Sequence, residues 1–261
     1  MDYLNALILG VVEGLTEFLP ISSTFHLIFF SKLLGISQTE FQKTFEIFIQ
    51  TGAVLAIVIL YFKTLITNKK LVVNLIYSLI PTAILGFIFY GFIKSTLFDS
   101  YYFYLMIASL IIIGLIILIL EKLISKQKII LNKTIDRLTP IEALIIGLVQ
   151  CLAFLPGVSR AGAVIIIMLI LKYKRQDSAL YSFLLAIPTI IGAGLLDLYQ
   201  TNFVFSSSQL ILLIIGFLTA GLTAFYSAKW LISYLQKHSL EIFAYYRIVL
   251  AILSLVVFKL I

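Results

Sequence analysis

Charge is what this sequence has least of. Only 12% of its 261 residues are Asp, Glu, Lys or Arg, against a hydrophobic share of 62%, whereas soluble domains carry about 25% charge and about 45–50% apolar residues. No polar run is long enough to build a separate soluble domain, so the chain reads as a polytopic membrane protein. Cysteine is almost absent: Cys151 stands alone, which excludes an internal disulfide and says little about compartment. The start lacks a basic region followed by a small-residue cleavage site, so no removable signal peptide is expected. The net charge of +7 is assigned to cytoplasmic loops and anionic lipid headgroups, and not to nucleic acid.

The polar residues that do lie within apolar sequence are concentrated in one stretch. Gly10–Leu27 holds Glu13 and Glu17, the hydroxyls of Ser22, Ser23 and Thr24, and His26, with Pro20 between acids and hydroxyls. An ionised side chain near a bilayer centre costs about 2.5–3.5 kcal/mol, so the two acids together cost about 5–7 kcal/mol. A single substitution would remove each cost, which points to function.

Pro20 divides the first apolar block into about 3–18 and 24–35. Neither half reaches the roughly 20 residues that span the hydrocarbon, so together they predict a re-entrant hairpin. Such a break is tolerated at membrane depth where protein or a water-filled cavity satisfies the freed backbone. Spanning segments are expected at about 45–62, 71–93 and 102–120, followed by a basic loop from Glu121 to Leu138. The pattern then restarts. Thr139-Pro-Ile-Glu142 has the spacing of a capping box with proline in the first turn. A block of about 141–155 and 160–171 is broken at Pro156-Gly157, and spans follow at about 179–199, 209–231 and 242–260.

The two halves also share letters. Ala6-Leu-Ile-Leu-Gly10 recurs as Ala143-Leu-Ile-Ile-Gly147, and Pro20-Ile-Ser-Ser23 parallels Pro156-Gly-Val-Ser159, a repeat of about 136 residues. The expected fold is all-α: a single membrane domain over 1–261 built of two inverted-topology repeats. Each repeat, about 1–120 and 139–261, holds a re-entrant helix hairpin plus three transmembrane helices, with the cytoplasmic loop 121–138 between them. Fourteen Lys and Arg, Arg247 among them, fall on one face and its flanks, against four on the other. The positive-inside rule puts the basic face in the cytoplasm and both termini outside. Asp197 is expected at an exposed helix end.

Glu13 and Glu17, four residues apart, share a helix face. Paired carboxylates need a shared proton or a cation, and hard oxygen ligands suit Mg²⁺ or Ca²⁺. Ser22, Ser23 and Thr24 sit where a half-helix starts, and such N-termini bind phosphate. His26, just inside, is placed to take a proton from a hydroxyl or give one to a leaving oxygen. The second break brings Gly157, Ser159 and Arg160; the fork of Arg160 matches phosphate bidentately, and inverted symmetry carries it to the depth of Ser23 and His26. Gln150 occupies the position equivalent to Glu13.

These residues resemble a family, the undecaprenyl-diphosphate phosphatases associated with bacitracin resistance. The likeness covers nearly the whole chain and is most specific in Glu13-Gly-Leu-Thr-Glu17-Phe-Leu-Pro-Ile-Ser-Ser-Thr24 with His26, and in Pro156-Gly-Val-Ser-Arg160. It implies an integral bacterial inner-membrane enzyme that removes the terminal phosphate of undecaprenyl diphosphate, depends on a divalent cation and works at the outer face. Functional positions carry over to Glu13, Glu17, Ser23, Thr24, His26, Ser159 and Arg160. The expected partners are the polyprenyl diphosphate, membrane lipids and a second copy of the chain. Three positions depart from the family pattern. Phe25 replaces a glycine and is expected to narrow access, while Ala161 and Val164 replace hydroxyl residues that would aid phosphate binding.

The expected chemistry is in-line attack by Ser23, with His26 as base or charge partner and Arg160, the half-helix N-termini and the Glu13/Glu17 cation stabilising charge. Direct attack by water is the alternative. From another class, a transporter or flippase of a phosphorylated lipid shares the architecture of broken helices meeting at the midplane.

Overall fold

The computed structural model describes residues 1–91, 102–200 and 205–260, the side chains of 257–260 excepted. Its helices are α1 (Tyr3–Thr16), α2 (Ser23–Leu33), α3 (Glu40–Thr67), α4 (Lys69–Ile88), α5 (Phe103–Ser125), α6 (Pro140–Gln150), α7 (Arg160–Ile170), α8 (Arg175–Gln200), α9 (Ser207–Leu235) and α10 (Glu241–Leu260). Among the described residues no strand forms; one isolated parallel bridge joins Lys133 and Tyr173. Five helices, α3, α4, α5, α8 and α9, are long and apolar enough to cross a membrane, and the chain is a multi-pass membrane protein. The apolar helices α1, α6 and α7 are shorter. The sixth expected span forms α10, whose last side chains lie outside the described residues, as do positions 92 and 93 of the expected second span.

Helix ends follow the local chemistry. Thr139 and Glu142 form the reciprocal capping box that their spacing predicts, with Pro140 at the first turn of α6. Burial pushes the Glu142 carboxyl up, but hydrogen bonds from Lys133, Tyr173 and Thr139 outweigh it and hold the group at about 2. The basic loop is thereby fastened to the start of α6. At the same end of the molecule Arg175 binds the buried carboxylate of Glu121 through two nitrogens, and Glu121 also accepts from the backbone N–H of Leu240.

Small residues let the short helices lie close to their neighbours, as in helix association within lipid. A Cβ added at Gly10 of α1 would sit 2.7 Å from the carbonyl oxygen of Gly216 in α9. One added at Gly147 of α6 would sit 2.1 Å from that of Ser78 in α4. Thus α1 leans on α9 and α6 leans on α4, while α3 packs on α8 and α9, and α5 pairs with α10. The first break, 17–22, is largely buried, whereas the second leaves Leu152 and Leu155 exposed.

Three expectations are corrected here. Arg247, counted with the cytoplasmic flanks, is fully buried in α10 and donates to carbonyls of both breaks. Asp197 is buried and accepts from the Tyr90 hydroxyl at 2.6 Å. Phe25 does not face a passage; it is buried among Phe103, Met106, Ile107, Leu110 and Ala251.

Candidate active site

After α1 ends at Thr16 the chain turns through Glu17–Ile21, and Ser22 adopts φ 72° and ψ 88° before α2 begins at Ser23. After α6 a short 3₁₀ turn leads through Gly157 to Ser159, at φ 72° and ψ 116°, before α7 begins at Arg160. The left-handed region costs a non-glycine residue about 1 kcal/mol or more, and both breaks carry that cost on a serine just before the half-helix. Gly157 is a glycine for two reasons: its φ is +88°, and a Cβ there would sit 2.6 Å from the carbonyl oxygen of Met106.

The two breaks meet at one carboxylate. Ser23 Oγ donates to Glu17 Oε2 at 2.6 Å, and Arg160 Nη2 donates to Glu17 Oε1 at 3.0 Å. Arg160 Nη1 donates to the Ser182 carbonyl at 2.8 Å, while its Nε has no partner. The pair is shielded, with 11% of the Arg160 side chain and 6% of that of Glu17 exposed. A hydroxyl bonded to a carboxylate has a proton acceptor in place, the arrangement by which a neighbouring base activates a nucleophile.

These residues line a cavity of about 500 Å³. Glu17, Ser22, Ser23, Thr24, Gln50, Thr82, Gln150, Gly157, Ser159, Arg160 and Thr189 supply polar groups, and Leu79, Ala83, Phe87, Phe154, Leu155, Ala193 and Leu196 supply an apolar wall. Of the expected phosphate-binding positions, Ser22, Thr24, Gly157, Ser159 and Arg160 therefore all border one space. Ala161 and Val164 are buried and do not line it.

Glu13 and His26 do not line this cavity. Glu13 is fully buried beside Glu17, and neither of its carboxyl oxygens accepts a hydrogen bond from another group among the described residues. His26 is 2% exposed, with Nδ1 at 2.7 Å from the Ser22 carbonyl and Nε2 at 2.8 Å from the Tyr246 hydroxyl. A carbonyl only accepts, so Nδ1 is the donor and, in neutral imidazole, Nε2 accepts from Tyr246. Both nitrogens are engaged away from Ser23, whose hydroxyl is bonded to Glu17 instead.

The cation expected at Glu13 and Glu17 can be tested on their partners. The orphaned oxygens of Glu13 fit a cation, since an unpaired buried carboxylate is costly without one or a proton. Glu17 completes the pair only as Ser23 and Arg160 release it. Among the described residues no group of three or more His, Cys, Asp or Glu forms a ready cage.

Sequence reasoning passed over several lining residues. The triplet Ile-Pro-Thr occurs twice, at Ile80–Thr82 in α4 and Ile187–Thr189 in α8. Gln150 Nε2 donates to Thr82 Oγ1 at 2.7 Å and reaches Thr189 Oγ1 at 3.4 Å, and the recurrence was the available signal. Tyr246, the partner of His26, carries no local signal, since the two lie 220 positions apart.

Known proteins match this chain over nearly its whole length. The family model described as bacitracin resistance protein BacA matches residues 6–253. A protein named undecaprenyl-diphosphatase from Sulfurihydrogenibium sp. (strain YO3AOP1) is 44% identical, covering 97% of this chain and 98% of its own. Another of that name from Aquifex aeolicus (strain VF5) is 42% identical over 95% of each chain. A third, from Wolinella succinogenes, is 41% identical over 98% of each.

Proposed function

The chain belongs to the bacitracin resistance protein BacA family, and we propose that it is an undecaprenyl-diphosphatase, releasing the terminal phosphate of undecaprenyl diphosphate and returning the monophosphate carrier to cell-wall synthesis. Relatives bearing that name match it over nearly their full length. The observation that carries the reading is the row Ser23–Glu17–Arg160 at the polar part of a cavity with an apolar wall.

The diphosphate occupies the polar part and the prenyl chain follows the apolar wall. Ser23 Oγ attacks the terminal phosphorus in line with the bridging oxygen, and its proton passes to Glu17 Oε2, which already accepts it. Protonation cancels the charge that held Arg160, so the guanidinium turns to the oxygens of the transferred group. The bond from phosphorus to the bridging oxygen breaks and undecaprenyl phosphate leaves. Water then attacks the phosphoserine, Glu17 returns its proton to Ser23 Oγ as the bond from phosphorus to that oxygen breaks, and both of water's protons leave on the released phosphate. Inorganic phosphate departs. His26, with Tyr246, holds the Ser22 carbonyl and so the backbone that presents Ser23. A Mg²⁺ or Ca²⁺ ion would be held by Glu13, joined by Glu17 when Ser23 and Arg160 have released it, and would neutralise diphosphate charge.

The proposal includes a topology of two inverted repeats with re-entrant hairpins, in the bacterial inner membrane, the site facing outward, and a homodimer as the assembly. The topology is supported by the matched serines before α2 and α7 and by the mirrored packing of α1 on α9 and α6 on α4. The rival transporter or flippase reading draws on the architecture alone, and fold does not decide function.

Phosphate release from undecaprenyl diphosphate by the purified chain, with and without chelator, is the test. Release that Arg160→Ala lowers by about 10³-fold is expected; no release by the wild-type chain refutes the reading.

A further inference from the structure

Arg247 sits seven residues into α10 with 0% exposure. Its guanidinium donates to five backbone carbonyls in three separate parts of the chain. Nη1 reaches Pro20 at 3.0 Å, in the first break. Nη2 reaches Gly157 at 2.7 Å and Val158 at 3.3 Å, in the second, and Ser109 at 3.3 Å in α5. Nε reaches Leu110, also in α5, at 3.2 Å. None of these acceptors is a carboxylate, and among the described ion pairs Arg247 has no acidic partner.

Position gives these bonds their meaning. Pro20 lies three residues before Ser23, and Gly157 and Val158 lie three and two before Arg160. The carbonyls of the breaks are those that lost their helical partners, and a break at membrane depth must satisfy them internally. The guanidinium is planar with donors in fixed directions, so one side chain holds the two breaks at one separation. We infer that Arg247 is a positioning residue that ties the serine-bearing break to the arginine-bearing one and so aligns Ser23 with Arg160.

The inference rests on the phosphatase reading for its kinetic consequence, although the tether itself does not. Lysine keeps the charge but offers a single nitrogen, which cannot span Pro20 and Gly157 as the fork does. Misplacement by about 1 Å can cost about 10²-fold in rate.

The test compares the wild-type chain with Arg247→Lys, and with Arg247→Gln if the lysine variant yields no folded protein. Phosphate release from undecaprenyl diphosphate is measured per folded molecule. In parallel, spin labels at Ile28→Cys in α2 and Ile170→Cys in α7, in a Cys151→Ser background, report the separation of the half-helices. The expected result is a fall of about 10²-fold in kcat with KM within about threefold, together with a broadened or shifted label distance. A wild-type kcat per folded molecule, or an unchanged label distance, overturns the inference. If the wild-type chain itself releases no phosphate, the phosphatase reading fails, and the label distance still decides whether Arg247 is the tether.

Discussion

The two breaks share a backbone and differ in what they do with it. Ser22 and Ser159 both sit at φ 72° just before a half-helix. In the second break Ser159 uses its hydroxyl to cap α7, accepting from the backbone N–H of Gly162 at 3.1 Å. In the first, Ser22 makes no side-chain cap, and the hydroxyl of Ser23 turns back to Glu17. Counted from the start of each half-helix, Ser23 is matched by Arg160, one residue on from the Ser23–Ser159 pairing suggested by the letters, and Glu13 is matched by Gln150. In the proposed mechanism the same turn supplies nucleophile and carboxylate on one side, and guanidinium and structural cap on the other. Each matched pair carries a charge on one side only, negative at Glu13 and positive at Arg160, and this makes the two breaks unlike.

Removing either member of the unlike pair should have the largest effect. Ser23→Ala is expected to lower phosphate release by about 10⁴-fold or more, as loss of a nucleophile does when partners act as a unit; release near the wild-type rate would instead favour direct attack by water. Arg160→Ala should lower kcat by about 10³-fold, the scale of an arginine that stabilises transferred phosphoryl charge, and single-turnover release measures it. Glu17→Gln keeps the shape but removes the proton acceptor of Ser23, for an expected loss of about 10²–10³-fold. Tyr246→Phe leaves Glu17 and Ser23 intact and should cost less than about tenfold, the value of roughly one ordinary hydrogen bond. A larger kinetic loss there would return His26 to a direct part in proton transfer.

The smallest expected kinetic effect belongs to the second serine. Ser159→Ala should lower stability by about 1 kcal/mol, a typical N-cap loss, read as a drop in melting temperature in detergent, with kcat nearly unchanged. If Ser159→Ala and Ser23→Ala prove equally damaging to turnover, the contrast between the breaks is wrong.

Much of this was legible in the sequence. Apolar blocks too short to span, interrupted at Pro20 and at Pro156-Gly157, gave both breaks. Glu17 and Arg160 stood out because a charge inside apolar sequence has a cost that local context makes visible. His26 was visible too, yet its assignment as the base did not anticipate its hydrogen bonds to Ser22 and Tyr246. A histidine beside a serine in sequence says nothing of the direction in which its ring points. Phe25 shows the same limit: one residue from Thr24, which lines the cavity, it faces the opposite side of α2 and is buried against α5 and α10.

Sequence by itself determined the helical membrane character, the two breaks, and Glu17, Ser23 and Arg160 as residues worth their cost, because burial energy and helix length are local quantities. Tertiary structure alone decided that Ser23 meets Glu17 and that Arg247 turns inward. Long basic side chains near the end of a span can reach the interface or the interior. What turns Arg247 inward is the set of unpaired carbonyls at Pro20, Gly157 and Val158, far away in sequence and gathered only when the helices pack.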